Sequence, residues 1–162
     1  MSELESYYQE MMLNISRLAE ANEDHSEVMF FEDRMKILIE DGHSVEYEDE
    51  DDNKKKNSNK DDIKGGYKYT YLRHPGLRVD GYEFLIDRST LVLYVCHFVQ
   101  DDEINTLTQT EITQFLKNTR RFFEKAHDQN YLNALEETSD GYEVASFINE
   151  HHKKFDQIGV RI

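Results

Sequence analysis

Apolar residues recur at helical spacing through the first part of the chain. Ser2 and Glu5 form the capping-box signature of a helix start, and the apolar stripe that follows predicts an N-terminal helix within residues 1–25. A second stripe begins at about Ser26 and ends before Gly42, a residue type that often follows a helix. The pattern therefore predicts two amphipathic helices that each bury one face.

The apolar period changes to two after Gly42, which predicts a strand over 44–48. Three more strands are predicted at 67–72, 77–86 and 91–99, with turn-forming residues between them. The segment 91–99 is almost continuously apolar, which is typical of a central strand covered on both faces. The sheet therefore needs helices on both of its sides.

The C-terminal part of the chain supplies those helices. Thr108, with Glu111 three residues later, predicts the start of a long helix. Two shorter helices are predicted at 131–137 and 140–153, and a final strand at 157–162. This order of elements predicts an α/β fold in which helices flank a mixed central sheet of four to five strands.

A charged, low-complexity run over 48–64 interrupts the single domain that we expect for residues 1–162. The run has almost nothing to bury, so it is predicted to be a mobile surface insertion. A calcium loop is disfavoured because it needs a glycine at a fixed position, and this run has none. An ordered acidic DNA mimic over 46–52 is the least favoured of the functions that we consider.

The charge balance excludes one class of nucleic-acid binder. The chain has 34 acidic and 19 basic residues and a formal net charge of -15, whereas coating DNA by bulk charge requires an excess of Lys and Arg. When the chain is divided into residues 1–39, 40–62, 63–99, 100–130 and 131–162, only the segment 63–99 has more basic than acidic residues. We therefore expect any contact with DNA or RNA there and on the bases packed beside it.

No segment has the length and apolar character of a membrane helix or a signal peptide, and Cys96 is the only cysteine. We therefore expect a cytoplasmic protein with no internal disulfide and no membrane partner. The final predicted strand leaves a sheet edge open, which favours pairing with another segment or chain and makes an oligomer one expectation.

Asp80 places a carboxylate inside an otherwise apolar strand, next to Gly81. Burying a carboxylate is costly unless it is paired, hydrogen-bonded or bound to a metal. In the first alternative, Asp80 pairs with Arg73 or Arg78, or caps a turn. In the second, Asp80 binds a divalent cation and Gly81 lets a backbone or a substrate come close.

His97 lies in the apolar segment 91–99. A single histidine in such a segment is more often a core residue than a metal ligand, although a position beside Asp80 on a neighbouring strand favours ligation. Cys96 should face the other side of the sheet because side chains alternate along a strand. A shared Cys-His metal site is therefore disfavoured.

Bases repeat every four residues on the helix predicted after Thr108. Lys117, Arg121 and Lys125 share one face of it, and Arg120 lies beside them. We call these four residues the basic stripe. It is either an ordinary solvated helix face or a surface that contacts phosphates.

Five segments stand in a recognisable order and spacing: LRVDGY at 77–82, LVLYVCHF at 91–98, LTQTE at 107–111, RRFFEK at 120–125 and IGVRI at 158–162. Together they resemble the N-terminal region of the abortive-infection phage-resistance (AIPR) protein family, over about residues 31–162 without the insertion. The resemblance implies a role in bacterial defence against phage. It also implies a longer chain, whose C-terminal region, or another protein, is then a partner of this domain.

The same region is similar to the restriction-endonuclease, or PD-(D/E)xK, core. In that core a helix, three strands, a helix and a fourth strand hold an acid on the second strand and an acid-x-Lys triplet on the third. The similarity implies that Asp80 takes the first acidic position. Its role there would be to hold a Mg2+ that activates water and stabilises charge on the scissile phosphate.

The chain departs from this pattern on the third strand. His97 stands where the second acid is expected, and Val99 stands where the lysine is expected. The similarity then implies that Glu32 or Glu27 of the second helix is an accessory metal ligand, and that Lys117 replaces the missing lysine.

Two functions follow from the sequence. The first is Mg2+-dependent cleavage of DNA or RNA, with Asp80, His97 and Glu32 on the metal, Lys117 as a second catalytic residue and the basic stripe on phosphates. The second is a catalytically degenerate nuclease fold that acts as a protein-interaction or sensor module. The incomplete third-strand pattern and the acidic surface favour the second.

Overall fold

The fold was determined as a computed structural model that describes residues 2–45, 65–101 and 103–162. Within these ranges the chain forms five helices, four strands and two short 3-10 turns. In chain order they are α1 (Glu3–Asn22), α2 (Ser26–Glu40), β1 (Tyr67–His74), β2 (Leu77–Leu85), a turn at Ile86–Arg88, β3 (Thr90–Tyr94), α3 (Gln109–Ala126), α4 (Gln129–Ala134), α5 (Tyr142–His151), a turn at His152–Lys154 and β4 (Gln157–Arg161). The insertion predicted at 48–64 lies outside the described residues.

The two capping boxes predicted from the sequence are confirmed. The Ser2 hydroxyl accepts a hydrogen bond from the backbone N–H of Glu5, whose carboxylate accepts one from the backbone N–H of Ser2. Thr108 and Glu111 make the same reciprocal pair at the start of α3. No helix within the described ranges has both the length and the apolar character needed to cross a membrane.

The sheet is mixed, as predicted. Its strand order is β1-β2-β3-β4, with β2 antiparallel to both β1 and β3 and with β4 parallel to β3. A parallel neighbour requires a long crossover connection, and the segment that contains α3, α4 and α5 provides it. The predicted α/β class is therefore confirmed, with four strands among the residues described.

Helices cover both faces of the sheet. On one face, α3, α4 and α5 pack on the strands around fully buried residues such as Leu93, Phe122 and Ile148. On the other face, Phe31 and Met35 of α2 pack against the opposite sides of the same strands. This arrangement explains why the third strand is apolar along its whole length.

Two predicted strands differ from the observed ones. β3 ends at Tyr94 rather than at residue 99, because the backbone of Cys96 is hydrogen-bonded by the side chains of Asp80 and Arg78 instead of by a strand. Ser44 and Val45 are described and are not in a strand, and the rest of the strand predicted at 44–48 lies outside the described residues.

Gly81 lets α2 lie close to the sheet. A Cβ atom at this position would lie 2.6 Å from Cζ of Phe31 and 3.0 Å from the carbonyl oxygen of Lys68. Both distances are shorter than ordinary van der Waals contacts. The close approach that the sequence suggested at Gly81 is therefore that of a core phenylalanine.

We expect Gly81→Ala to lower the free energy of unfolding by about 1–3 kcal/mol, because the added methyl group overpacks this contact. The measurement is urea denaturation followed by circular dichroism. The double variant, Gly81→Ala with Phe31→Leu, should lose less unfolding free energy than the sum of the losses of the two single variants. Strict additivity of the two changes would contradict a direct clash between these residues.

Candidate functional site

Asp80 lies on β2 with its side chain fully buried. Oδ1 accepts hydrogen bonds from Nε and Nη2 of Arg73 at 3.3 and 3.2 Å. Oδ2 accepts from Nε of Arg78 at 3.1 Å and from the backbone N–H of Cys96 at 2.8 Å. The alternative in which Asp80 pairs with these arginines is therefore confirmed. We call these residues, together with Glu27, the Asp80 network.

The two arginines are themselves held in place by further contacts. Arg73 also forms an ion pair with Glu27, and its guanidinium lies 4.4 Å from the centre of the Tyr71 ring. Burial acts to lower the pKa of Arg73, but the hydrogen bond to Glu27 and the charges of Asp80 and Glu27 outweigh it and raise the pKa above its usual value. Arg73 therefore stays charged near neutral pH.

Arg78 joins three parts of the fold. Its Nη2 donates to the carbonyl oxygen of Cys96 at 2.8 Å, and its guanidinium lies 4.7 Å from the centre of the Phe115 ring on α3. Its own carbonyl oxygen accepts a hydrogen bond from the hydroxyl of Thr119 at 3.0 Å. β2, α3 and the segment after β3 are therefore held together around this one residue.

His97 follows β3 and is not part of a strand. Its ring packs on Phe115, with 5.4 Å between ring centres. Cys96 packs with Phe31 and Met35 on the α2 side of the sheet, whereas the His97 ring lies against α3, so the two side chains have different neighbours although both residues line one cavity. Burial, followed by the charge of Asp80, raises the pKa of the Cys96 thiol to about 12, which keeps it protonated near neutral pH.

Glu32 and Glu27, the two candidate accessory metal ligands, have different partners in the structure. The carboxylate of Glu32 accepts a hydrogen bond from the hydroxyl of Tyr67, whereas the ion pairs of Arg73 and Arg78 in the described part of the chain are with Glu27 and Asp80. Glu27, by contrast, joins the network through Arg73. Of the two glutamates considered from the sequence, the structure therefore brings Glu27 to Asp80.

All four residues of the basic stripe are exposed on α3, on the side opposite the buried Phe122 and Ala126. Arg120 pairs with Glu124 at 2.9 Å, and the Lys125 ammonium lies 5.6 Å from the centre of the Tyr131 ring. Lys117 is exposed, whereas Asp80 is fully buried. The stripe faces solvent as predicted, and contact with phosphates stays a prediction.

The residues expected to hold Mg2+ do not fit the ion in this arrangement. An ionised carboxylate has about four lone-pair positions, and four N–H donors already occupy those of Asp80. Three of the donors belong to the two guanidinium groups of Arg73 and Arg78, whose charge opposes that of a cation. Among the described residues, no group of three or more His, Cys, Asp or Glu side chains is arranged to hold a metal.

A second buried acid was not singled out from the sequence. Glu83, also on β2 and fully buried, accepts hydrogen bonds from the Ser44 hydroxyl and the Val45 backbone N–H, both at 2.8 Å, and from the Tyr94 hydroxyl at 2.7 Å. It fastens the segment that follows α2 to the sheet. Its only sequence signal is a charged residue in an apolar strand, the signal that drew attention to Asp80.

The family of the chain follows from its sequence together with this fold. Residues 61–162 match the profile of the abortive infection phage resistance protein N-terminal domain. The chain belongs to this family. No curated protein and no solved structure matches the chain.

Membership links this AIPR N-terminal domain to defence against phage by abortive infection. The match covers all four strands and α3, α4 and α5, so Asp80, His97 and the basic stripe lie within the family domain. Glu27 and Glu32 lie on α2, before the matched span. The resemblance noted in the sequence is thereby confirmed at the level of the family.

Proposed function

We propose that this AIPR N-terminal domain acts in phage defence as an interaction or sensor module built on a nuclease-like frame, and that it does not itself cut nucleic acid. The observation that supports this most directly is the occupancy of Asp80. A metal-dependent nuclease needs this carboxylate for its ion, whereas here two arginines and a backbone N–H use all of its lone pairs.

The nuclease-like frame is an inference from element order. α2, the three antiparallel strands, α3 and the parallel β4 follow one another as in the restriction-endonuclease core, and Asp80 lies on the second strand. The element order is compatible with descent from such an enzyme. His97 and Val99, in the segment that follows the third strand, stand where the similarity places the acid and the lysine, which supports loss of the activity.

Charge near the Asp80 network also favours a module that does not bind phosphates there. A cavity of about 900 Å³ opens beside Arg73, and Asp24, Glu27 and Asp140 are among its lining residues. These carboxylates outnumber the one guanidinium that lines the opening, that of Arg73, which already pairs with Glu27 and Asp80, so the opening repels a phosphate backbone. A partner protein that presents a neutral or basic surface fits this opening better than DNA or RNA does.

Mg2+-dependent cleavage is the competing function, and the exposed basic stripe on α3 favours it. In that function Asp80, His97 and Glu32 would hold the ion and Lys117 would act beside the scissile phosphate. The ion supplies an activated water when it is bound. For Asp80 to take this role, both arginines would first have to leave its carboxylate.

Incubation with DNA and RNA, single- and double-stranded, in the presence of Mg2+ or Mn2+ distinguishes the two functions. We expect no metal-dependent cleavage by the wild-type domain beyond that of Asp80→Asn, and no heat of metal binding in calorimetry. Asp87→Asn is the matched control, since Asp87 is an exposed acid close to the end of the same strand. Cleavage that requires the metal and is lost only in Asp80→Asn would overturn the proposal.

A further inference from the structure

A second cavity lies on the α2 side of the sheet and does not include Asp80. Its volume is about 430 Å³, within the range typical of small-molecule sites. Phe30, Met35 and Leu38 of α2 line one side, and Val95 and Leu107 line the other. We call this cavity the α2 pocket. Its walls are predominantly apolar, as in most small-ligand sites.

The charged side chains of the α2 pocket are all of one sign. Arg34 and Arg161 line it, and no Asp or Glu does among the residues described. In a chain whose formal net charge is -15, a pocket with two guanidinium groups and no acidic side chain among the described residues differs from most of the surface. Charge complementarity therefore favours a ligand with a negative group.

Arg161 is the better placed of the two arginines. Its Nη1 donates to the carbonyl oxygen of His43 at 2.8 Å and to the hydroxyl of Tyr94 at 3.2 Å. These contacts orient the side chain but leave its charge without a carboxylate partner in the part of the chain described. Arg34, by contrast, is already ion-paired with Asp33.

The pocket also occupies a position that often binds ligands. Tyr94 and Arg161 are the last residues of β3 and β4, the only parallel pair in the described sheet. In α/β proteins ligands commonly bind just beyond the carboxyl ends of parallel strands, where the backbone opens and side chains converge. The apolar walls, the single sign of charge and the topology thus point to the same site.

We propose that the α2 pocket binds a small amphipathic anion, with its apolar body against Phe30 and Leu38 and its carboxylate or phosphate-type group on Arg161. Such a site would let the domain sense a metabolite. The inference goes beyond the proposed function and does not depend on it, because Phe30, Leu38 and Arg161 are not among the residues that hydrogen-bond to Asp80 in the part of the chain described.

The test uses two pairs of probes, octanoate with 1-octanol and 2-naphthoate with 2-naphthalenemethanol, titrated into the protein and followed by NMR. We expect at least one carboxylate to bind with a dissociation constant below about 1 mM, the range for a ligand of this size. The matching alcohol should bind about 10-fold more weakly, because it lacks the charge-assisted hydrogen bond to Arg161. Which pair binds more tightly distinguishes an aliphatic from an aromatic body.

Variants assign the binding to this pocket. Arg161→Gln should weaken carboxylate binding about 10-fold and leave alcohol binding unchanged, and Arg161→Lys should retain most of the affinity. Leu38→Trp, which fills the cavity, should abolish both. Arg88→Gln is the matched control, since Arg88 is an exposed arginine that does not line the pocket. Thermal melting of each variant verifies that it is folded.

Three results would overturn the proposal. The first is that neither carboxylate binds at a concentration 5-fold above the upper limit expected for the dissociation constant. The second is equal affinity of Arg161→Gln and wild type for the carboxylate that binds. The third is a concentration-dependent dimer, detected by sedimentation, that Leu38→Trp disrupts, since this would assign the pocket to a second copy of the chain. Each result is independent of the cleavage assay, so the two proposals fail separately.

Discussion

Asp80→Ala should lower the free energy of unfolding by about 3–5 kcal/mol, the cost of removing one partner from a buried ion pair. The substitution leaves Arg78 without a carboxylate partner and Arg73 with Glu27 alone, and it leaves the backbone N–H of Cys96 without the acceptor that it has in the wild type. Urea denaturation followed by circular dichroism measures the change.

Asp87→Ala is the control for this prediction, because Asp87 is exposed and its replacement should change stability by less than about 0.5 kcal/mol. A loss of less than about 1 kcal/mol in Asp80→Ala would mean that the carboxylate is not needed for folding. Residues that are dispensable for folding and costly to bury are typical of functional sites. That result would therefore favour the metal-binding role of Asp80 over the structural one.

Glu83→Ala should lower the free energy of unfolding by about 2–4 kcal/mol, since three donors lose an acceptor in the interior. These donors are the Ser44 hydroxyl, the Val45 backbone N–H and the Tyr94 hydroxyl. Amide hydrogen exchange provides a local readout: exchange at Val45 should become faster in the variant by a larger factor than exchange in α5.

Glu137→Ala is the control for Glu83, because Glu137 is an exposed glutamate. Glu83→Gln should cost less than Glu83→Ala, since the amide retains one oxygen that accepts hydrogen bonds. If exchange rises equally throughout the domain, Glu83 supports the whole fold rather than the segment after α2. Unchanged exchange at Val45 would contradict the role of Glu83 in fastening that segment.

The parts of the fold that depend on local sequence could be predicted. Ser2 with Glu5, and Thr108 with Glu111, identify helix starts because each cap is made by residues three positions apart. The apolar segment after Ser89 correctly indicated a strand with helices on both faces, since full burial leaves a continuous apolar run.

The end of that strand could not be predicted, because it depends on contacts between residues distant in sequence. The segment stays buried and apolar after Tyr94, but side chains of β2 take the backbone groups of Cys96 that a neighbouring strand would otherwise pair. An apolar pattern indicates that a segment is buried, but it does not indicate which groups form hydrogen bonds with the backbone N–H and C=O of that segment. His97 was assigned to the strand for this reason.

The candidate site was predicted in part. Asp80 was identified because a carboxylate in an apolar strand needs a partner, and Arg73 and Arg78 were both among the partners considered. The β1-β2 hairpin places these arginines opposite each other, which the turn between the strands already suggested. Glu27 was only an alternative to Glu32, because the sequence does not determine which turn of α2 lies over Arg73.

The parallel pairing of β3 with β4 has a consequence for the order of assembly. Thr90 pairs with Gln157, so the ribosome must synthesise α3, α4 and α5 before β3 can gain its second neighbour. Until then the apolar β3 has one unpaired edge, and closing so long a loop is slow compared with forming a hairpin. During synthesis the nascent chain therefore passes through a stage prone to aggregation, in which chaperones would be expected to bind β3.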